Sequence, residues 1–108
     1  MKFLANLKEF EAAIKTGRKV VIDFTATWCG PCQRIGPIFE GHSKSGEFPS
    51  LAFFKVDVDA ASDVAEKCGV SAMPTFKFFS GTGDVQPIEE LVGGDPAKLK
   101  SLLEKHGK

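Results

Sequence analysis

The sequence is short of several features that define particular classes of protein. It has 3 cysteines and no tyrosine among its 108 residues, and its acidic and basic residues balance at 14 each. A secreted domain held together by disulfides carries an even and denser set of cysteines, so this class is disfavoured. The charges of both signs are interspersed, without the basic stripe that is typical of a nucleic-acid-binding or membrane-surface protein.

Long hydrophobic runs are also missing. No apolar segment approaches the roughly 20 residues that are needed to cross a bilayer. The N-terminal stretch MKFLANLKEFEAAI places Lys8, Glu9 and Glu11 where a signal peptide would need apolar residues. We therefore expect a cytoplasmic chain with no membrane association and no nucleic-acid partner. Its length and its 43% content of hydrophobic residues predict one compact domain over residues 1–108.

Apolar segments alternate with helical patterns along the whole chain. Strands are predicted at residues 19–25, 50–58, 74–79 and about 85–92, and residues 2–4 are a candidate for a short edge strand. Helices are predicted at residues 4–17, from residue 31 onward, at 61–69 and at 95–107. Asn6 and Asp95 are the predicted N-caps of the first and last helices. This order predicts an α/β sheet with helices on both faces.

The stretch TATWCGPC, residues 25–32, ends a predicted strand and begins a predicted helix. Cys29 and Cys32 in the first helical turn have β-carbons about 5–6 Å apart, near enough for a disulfide. As a staple this disulfide would constrain the unfolded chain little, because its loop is tiny. Zinc requires four ligands, and Cys68, His42 and His106 lie in no paired spacing that would complete a site. The pattern therefore favours a redox role without a metal, and both histidines are expected on the surface.

The two sulfurs are predicted to differ in reactivity. Cys29 is expected at the helix N-terminus, where unpaired N–H groups and the helix dipole favour a thiolate. Cys32 lies one turn inside the helix and is expected to be less accessible. Cys29 would attack a substrate disulfide, and Cys32 would resolve the mixed disulfide by attacking the sulfur of Cys29. Gly30 and Pro31 bring no charge to stabilise the dithiol state, which favours a reductant over an oxidant.

Four segments occur together in a specific order: FTATWCGPC, KVDVD, MPTFKFF and the Gly-Gly pair before the last helix. In sequence and spacing they resemble the thioredoxin family over essentially the whole chain. The resemblance implies the thioredoxin fold, a three-layer α/β/α structure whose central mixed sheet of about five strands is flanked by four helices. It also implies a monomeric protein disulfide reductase that binds no cofactor. Thioredoxin reductase would recharge the Cys29–Cys32 disulfide with electrons from NADPH.

The resemblance further implies a surface that contacts disulfide-containing client proteins. Its residues are Trp28, Gly30, Pro31, Met73, Pro74 and Gly93. The Met73–Pro74 bond matches the family's cis-proline turn, whose backbone pairs with the client strand. Gly93 matches the small residue that keeps this groove open.

Asp23 matches the family's buried carboxylate near the resolving thiol. Burial should raise the pKa of this carboxyl, so that it can take the proton from Cys32 and return it. Lys55 matches the lysine that neighbours this acid. One departure is Gln33, where many members have lysine, which removes a positive charge beside the site.

Other roles stay open on the sequence alone. A thioredoxin-like domain that serves as a non-redox interaction subunit could keep every one of these residues. A disulfide oxidase or isomerase is the nearest rival among the enzymes. Cys68, at the end of a predicted helix, is expected to be a buried or half-buried structural thiol.

Overall fold

The computed structural model describes all 108 residues, which form four helices and four strands. Helices and strands alternate along most of the chain, as the sequence predicts. In chain order they are α1 (Leu7–Ala13), β1 (Lys19–Thr25), α2 (Gly30–Lys44), β2 (Leu51–Asp57), α3 (Ser62–Lys67), β3 (Thr75–Phe79), β4 (Glu89–Val92) and α4 (Pro96–Gly107).

The strands form a mixed sheet in the order β2-β1-β3-β4. The β1–β2 pair is parallel, whereas β1–β3 and β3–β4 are antiparallel. The sheet thus has four strands rather than about five. The segment at residues 2–4 is reduced to one parallel bridge between Phe3 and Lys55, made by hydrogen bonds from Leu4 N to Lys55 O and from Lys55 N to Lys2 O.

The strand β4 is also shorter than the predicted strand at residues 85–92. Pro87 has no backbone N–H to donate to a neighbouring strand. The backbone N–H of Gln86 donates to the Asp84 side chain in a local turn, and the first contact with β3 is Ile88 N to Phe78 O at 2.7 Å. Residues 85–88 therefore form a loop that leads into the strand.

Side chains on the two faces of the sheet form two separate cores. One core packs α1 and α3 against the face that carries Val20, Ile22 and Phe24 of β1. The other packs α2 and α4 against the opposite face, which carries Val21 of β1. Because successive strand residues point to opposite faces, a strand covered on both sides is apolar throughout. This arrangement confirms the three-layer architecture.

Helix caps are where the sequence predicts them. The Asn6 side chain accepts a hydrogen bond from Glu9 N at 3.0 Å. The Asp95 side chain accepts from Ala97 N and Lys98 N at 3.0 and 3.2 Å. Each cap satisfies donors that a helix start leaves unpaired, which is typically worth about 1 kcal/mol.

His106 is not the solvated histidine that the sequence suggested. Its side chain is only 11% exposed, and its Nε2 lies 3.1 Å from Oε1 of Glu89. Its ring also packs against Phe78, with the ring centroids 5.0 Å apart. The histidine thereby ties the end of α4 to the sheet. His42 is half-buried as well, and its ring packs edge-on against Phe48.

Candidate active site

The turn between β1 and α2 presents the two cysteines at the start of a helix. Cys29 is the N-cap of α2, and its Sγ accepts a hydrogen bond from Cys32 N at 3.2 Å. A disulfide joins Cys29 and Cys32, whose Cα atoms are 5.3 Å apart. One backbone N–H of the first helical turn, that of Cys32, therefore points at the sulfur that is predicted to carry negative charge.

Both sulfur-bearing residues are more enclosed than expected for an exposed nucleophile. Cys29 is 6% exposed and Cys32 is 2% exposed, so Cys29 remains the more accessible of the two. Together with Ala26 they form a small apolar cluster against which Val58 and Met73 pack. These neighbours leave only a small part of Cys29 accessible to solvent.

Trp28 lies beside the disulfide and is 67% exposed. Its indole Nε1 donates a hydrogen bond to Oδ2 of Asp59 at 2.9 Å, which fixes one edge of the ring. Sequence reasoning missed Asp59. A usable signal was present, since β1 and β2 are parallel, and the residues that follow parallel strands meet at the same edge of a sheet.

The loop before β3 packs against the disulfide through Met73. The Met73–Pro74 peptide bond is cis, as the resemblance implies, and the Met73 carbonyl oxygen lies 3.6 Å from Cys29 Sγ. Gly93 N donates to Pro74 O at 2.8 Å. Residues 73–74 and 93 are thereby joined into one surface next to Cys29.

Two adjacent glycines in this surface serve different purposes. Gly93 has a φ of +106°, a backbone conformation that strongly favours glycine, and a Cβ there would meet no atom within 4 Å. At Gly94, the second glycine of the pair before the last helix, a Cβ would lie 3.5 Å from the Cβ of Pro31 and 3.7 Å from Pro74 Cγ. Both distances are ordinary van der Waals contacts, so the chain at Gly94 packs beside the active-site turn and its cis-proline neighbour.

Asp23 is the one charged residue of β1 that the sheet buries completely. It is 0% exposed, and neither of its carboxyl oxygens has a hydrogen-bond partner in the protein. Burial raises the pKa of Asp23 from 3.8 to about 7, while the positive charge of Lys55 opposes part of this rise. Its carboxyl can therefore gain or lose a proton near neutral pH, as its predicted role requires.

Lys55 neighbours Asp23 in the sheet, since the two residues are partners in the β1–β2 register. Its ammonium nevertheless pairs with a different acid: Nζ lies 3.1 Å from Oε2 of Glu40 on α2. Sequence reasoning did not identify Glu40. Lys55 is only 8% exposed, so it is not an ordinary surface lysine.

Gln33 braces the start of α2. Its amide nitrogen lies 3.3 Å from the Ala26 carbonyl oxygen and 3.4 Å from that of Thr27, and it donates to both. The side chain thus holds the turn that carries the disulfide, although it brings no positive charge to the site.

Metal-binding clusters and membrane-spanning helices are two further features for which the structure can be inspected. The structure has no group of three or more His, Cys, Asp or Glu side chains arranged to hold a metal ion. None of its helices combines the length and the apolar character that crossing a membrane requires.

Comparisons with known proteins agree with this geometry. The family model described as Thioredoxin matches residues 2–105. A thioredoxin from Ictalurus punctatus is 48% identical over 105 residues, covering 95% of each chain. One from Coprinus comatus is 46% identical over 105 residues, covering 97% of this chain and 96% of the relative.

Solved structures show the same similarity in three dimensions. The crystal structure of Malassezia sympodialis thioredoxin superposes with a TM-score of 0.91 at 41% identity and covers 100% of this chain and 91% of that one. A Plasmodium falciparum thioredoxin structure gives a TM-score of 0.90 at 39% identity, covering 98% of this chain and 99% of that one.

These matches extend over nearly the whole chain and coincide with a cysteine pair that closes a disulfide at a helix N-terminus. Dithiol–disulfide exchange is the chemistry that this arrangement supports. The chain is a protein disulfide oxidoreductase and belongs to the thioredoxin family.

Proposed function

We propose that this protein is a general reductant of protein disulfides, with Cys29 as the attacking thiol and Cys32 as the resolving thiol. The observation that carries the proposal is the Cys29–Cys32 disulfide at the start of α2, with the uncharged Gly30–Pro31 pair between the sulfurs. In the reduced protein, the Cys29 thiolate attacks one sulfur of a client disulfide. A mixed disulfide forms and one client thiolate leaves.

The second step returns the site to its disulfide form. Asp23 accepts the proton of Cys32, and the Cys32 thiolate attacks Cys29 Sγ. The mixed disulfide breaks, the Cys29–Cys32 disulfide forms, and the second client sulfur leaves as a thiolate that takes up the proton. Two electrons thus pass from the cysteine pair to the client. Most of the rate advantage comes from holding both sulfurs in position, because the second attack is intramolecular.

Client proteins bind to the surface beside Cys29 that consists of Trp28, Gly30, Pro31, Met73, Pro74 and Gly93. Trp28 offers a large exposed ring that one hydrogen bond holds in place. Residues 73–74 immediately precede β3 without belonging to it. An extended client strand pairs with their backbone. A Cβ at Gly93 would occupy open space next to this backbone and so narrow the groove.

Electrons come from NADPH through thioredoxin reductase, and no cofactor is bound to the chain itself. This source requires a compartment that holds thiols reduced, and a set of 3 cysteines suits such a compartment. We therefore assign the protein to the cytoplasm, where it works as a monomer on disulfide-containing clients. Lys55 affects the reaction only through Asp23, because its positive charge lowers the pKa of that carboxyl, and it does not contact the client.

The experiment is a coupled assay in which NADPH oxidation by a thioredoxin reductase depends on this protein and on a disulfide-bonded client. Cys29→Ser should abolish turnover, because no attacking thiol remains. Cys32→Ser should accumulate a covalent mixed disulfide through Cys29, visible by mass spectrometry and reversed by dithiothreitol. Cys68→Ser is the matched control and should keep full activity.

The direction of electron flow is tested by the reduction potential of the cysteine pair in a glutathione buffer. Trp28 reports the redox state by fluorescence, since it is the 1 Trp of the chain and no Tyr is present. A potential well below that of the glutathione couple is expected for a reductant. A potential near or above it would contradict the proposed direction and indicate an oxidase or isomerase.

A further inference from the structure

A cavity next to the resolving cysteine contains an ion pair that the proposed mechanism does not use. The cavity has a volume of about 250 Å³ and is lined by Cys32, Gly36 and Glu40 of α2, by Lys55 of β2, and by residues at the end of β1 and in the turn that follows it. Within it, Lys55 Nζ lies 3.1 Å from Glu40 Oε2. The Lys55 side chain is 11% exposed and that of Glu40 is 36% exposed, so the pair lies between the protein interior and solvent.

The position of the Lys55 ammonium leaves the neighbouring acid without a partner. Asp23 and Lys55 are adjacent in the sheet register, yet both oxygens of Asp23 lack a hydrogen bond. Gly36 lies on α2 one turn before Glu40, and a Cβ at Gly36 would lie 3.4 Å from Lys55 Nζ. The Lys55 ammonium therefore lies directly against α2 at Gly36, on the side of Glu40.

We propose that Glu40 is a positioning residue: it anchors the Lys55 ammonium to α2 and so leaves the Asp23 carboxyl without an ion partner. The consequence for proton transfer rests on the proposed function, in which Asp23 exchanges a proton with Cys32. A buried carboxyl that an adjacent ammonium approached closely would be ionised well below neutral pH and would be a weak base. Glu40 thus keeps the pKa of the Asp23 carboxyl near neutral pH, where the group can both accept and return a proton.

Few other charges act on this part of the molecule. On the α2–α4 face of the sheet, β3 and α4 contribute apolar side chains such as Phe76 and Leu99. Burial is the main cause of the raised pKa of Asp23, Lys55 lowers it, and Glu40 raises it. The ionisable groups near the cavity are Lys55 and Asp57 of β2, Cys32 and Glu40 of α2, and, acting on Glu40, the amino terminus and Lys44.

The test is to measure the titration of the Asp23 carboxyl in Glu40→Gln. The disulfide form with carbon-13-labelled aspartate is suitable, because neither active-site cysteine titrates there and Asp23→Asn identifies the signal. Glu90→Gln is a matched control, since Glu90 pairs with Lys77 at 2.9 Å in a similar half-exposed ion pair. That pair lies away from Asp23, because Lys77 is the partner of Ile22, on the other face of the sheet.

Glu40→Gln should lower the titration midpoint of Asp23 by about half a pH unit or more, since one negative charge is lost and Lys55 is released. Glu90→Gln should leave the midpoint unchanged. An unchanged midpoint in Glu40→Gln, or equal shifts in both variants, would overturn the inference. The fold should survive, because the Glu40 side chain is partly exposed, and circular dichroism checks this.

A second comparison asks whether Glu40 acts through Lys55. In a Lys55→Gln background, Glu40→Gln should shift the midpoint by less than half as much as in the native background, because no ammonium remains to be released. A shift of full size there would mean that Glu40 acts only by its own charge, and the positioning role would be wrong.

The rate of the resolving step separates this inference from the proposed function. If Asp23 transfers the proton, the pH midpoint of mixed-disulfide decay should move with that of the carboxyl in Glu40→Gln. A rate profile that stays in place while the carboxyl midpoint moves would refute the proton role of Asp23 and support the positioning role of Glu40. In the converse result, the titration midpoint of Asp23 would stay unchanged in Glu40→Gln and the pH midpoint of mixed-disulfide decay would coincide with it. That result would refute the positioning role of Glu40 and support the proton role of Asp23.

Discussion

Replacing Asp23 with asparagine should stabilise the protein at pH 8 much more than at pH 4. Asp23 is fully buried, and its carboxyl oxygens have no partner. Burial raises its pKa from 3.8 to about 7. Above pH 7 the folded protein therefore holds a buried, unpaired negative charge that the unfolded chain would expose to water.

The sign and the size of the effect follow from proton binding. Between about pH 4 and pH 7, the folded state holds the Asp23 proton and the unfolded state does not, so the free energy of unfolding falls as the pH rises. The contribution is fully present below the unfolded pKa and is lost as the pH rises through the folded pKa. A rise from 3.8 to about 7 corresponds to about 4 kcal/mol, since each pKa unit is worth about 1.4 kcal/mol.

Urea unfolding of the disulfide forms at pH 4, 6 and 8.5 measures this difference. Asparagine is neutral throughout, so any cost of burying its amide is the same at every pH and cancels from the pH dependence. The stability of Asp23→Asn relative to the native chain should increase by several kcal/mol between pH 4 and pH 8.5. Asp84→Asn, in an exposed turn, controls for the loss of one negative charge. A difference between Asp23→Asn and the native chain that does not change with pH would refute the reasoning.

Two further substitutions or modifications test other parts of the structure. Gly93→Ala should destabilise the fold by about 1–2 kcal/mol, because Gly93 has a φ of +106°. Gly41→Ala is the control: it lies in a helix without a positive φ, an added Cβ would meet open space, and the substitution should stabilise the fold slightly. Urea unfolding measures both, and equal effects would contradict the assignment of strain. Burial raises the pKa of Cys68 to about 11, which lowers its thiolate fraction at pH 8 by about 100-fold while the higher basicity restores roughly tenfold of reactivity. Cys68 should therefore react with iodoacetamide at pH 8 about 10-fold more slowly than an ordinary thiol. Mass spectrometry follows this alkylation, and a rate like that of a small-molecule thiol would show that Cys68 is not held as the structure indicates.

Local signals were sufficient to predict most of the secondary structure and the position of the cysteine pair. A cap such as Asn6 acts within one helical turn, so its partner is visible a few residues along the chain. The strand predicted at residues 85–92 is longer than the observed β4, because a pattern of β-forming residues does not show which backbone groups form hydrogen bonds with an adjacent strand. There the lack of an N–H at Pro87 and the turn at Asp84 decide where pairing begins.

The parts that sequence reasoning missed are contacts between distant elements. Glu40 meets Lys55 across α2 and β2, Asp59 meets Trp28 across two strand ends, and His106 meets Glu89 across α4 and β4. No spacing rule within one helix or strand describes such pairs, because they depend on the register and on the packing angle of the elements. The resemblance to a family supplied Asp23 and Lys55 as neighbours, but it did not supply the acid with which Lys55 pairs.

The Lys55–Glu40 ion pair and the free-energy cost of the buried Asp23 charge are two consequences of one arrangement. If Lys55 paired directly with Asp23, the carboxyl would be stabilised as an anion, and the penalty of about 4 kcal/mol would shrink together with the pKa. The protein would then be more stable at neutral pH, but its buried carboxylate would bind a thiol proton weakly. A penalty of this size is a large fraction of the roughly 5–15 kcal/mol by which domains are stable.

The geometry therefore predicts that a substitution that lowers the pKa of Asp23, such as Glu40→Gln, makes the protein more stable at pH 8 while it makes the Asp23 carboxylate a weaker base. A Glu40→Gln protein whose carboxyl midpoint falls with no gain in stability at pH 8 would show that the two effects are not linked through Asp23.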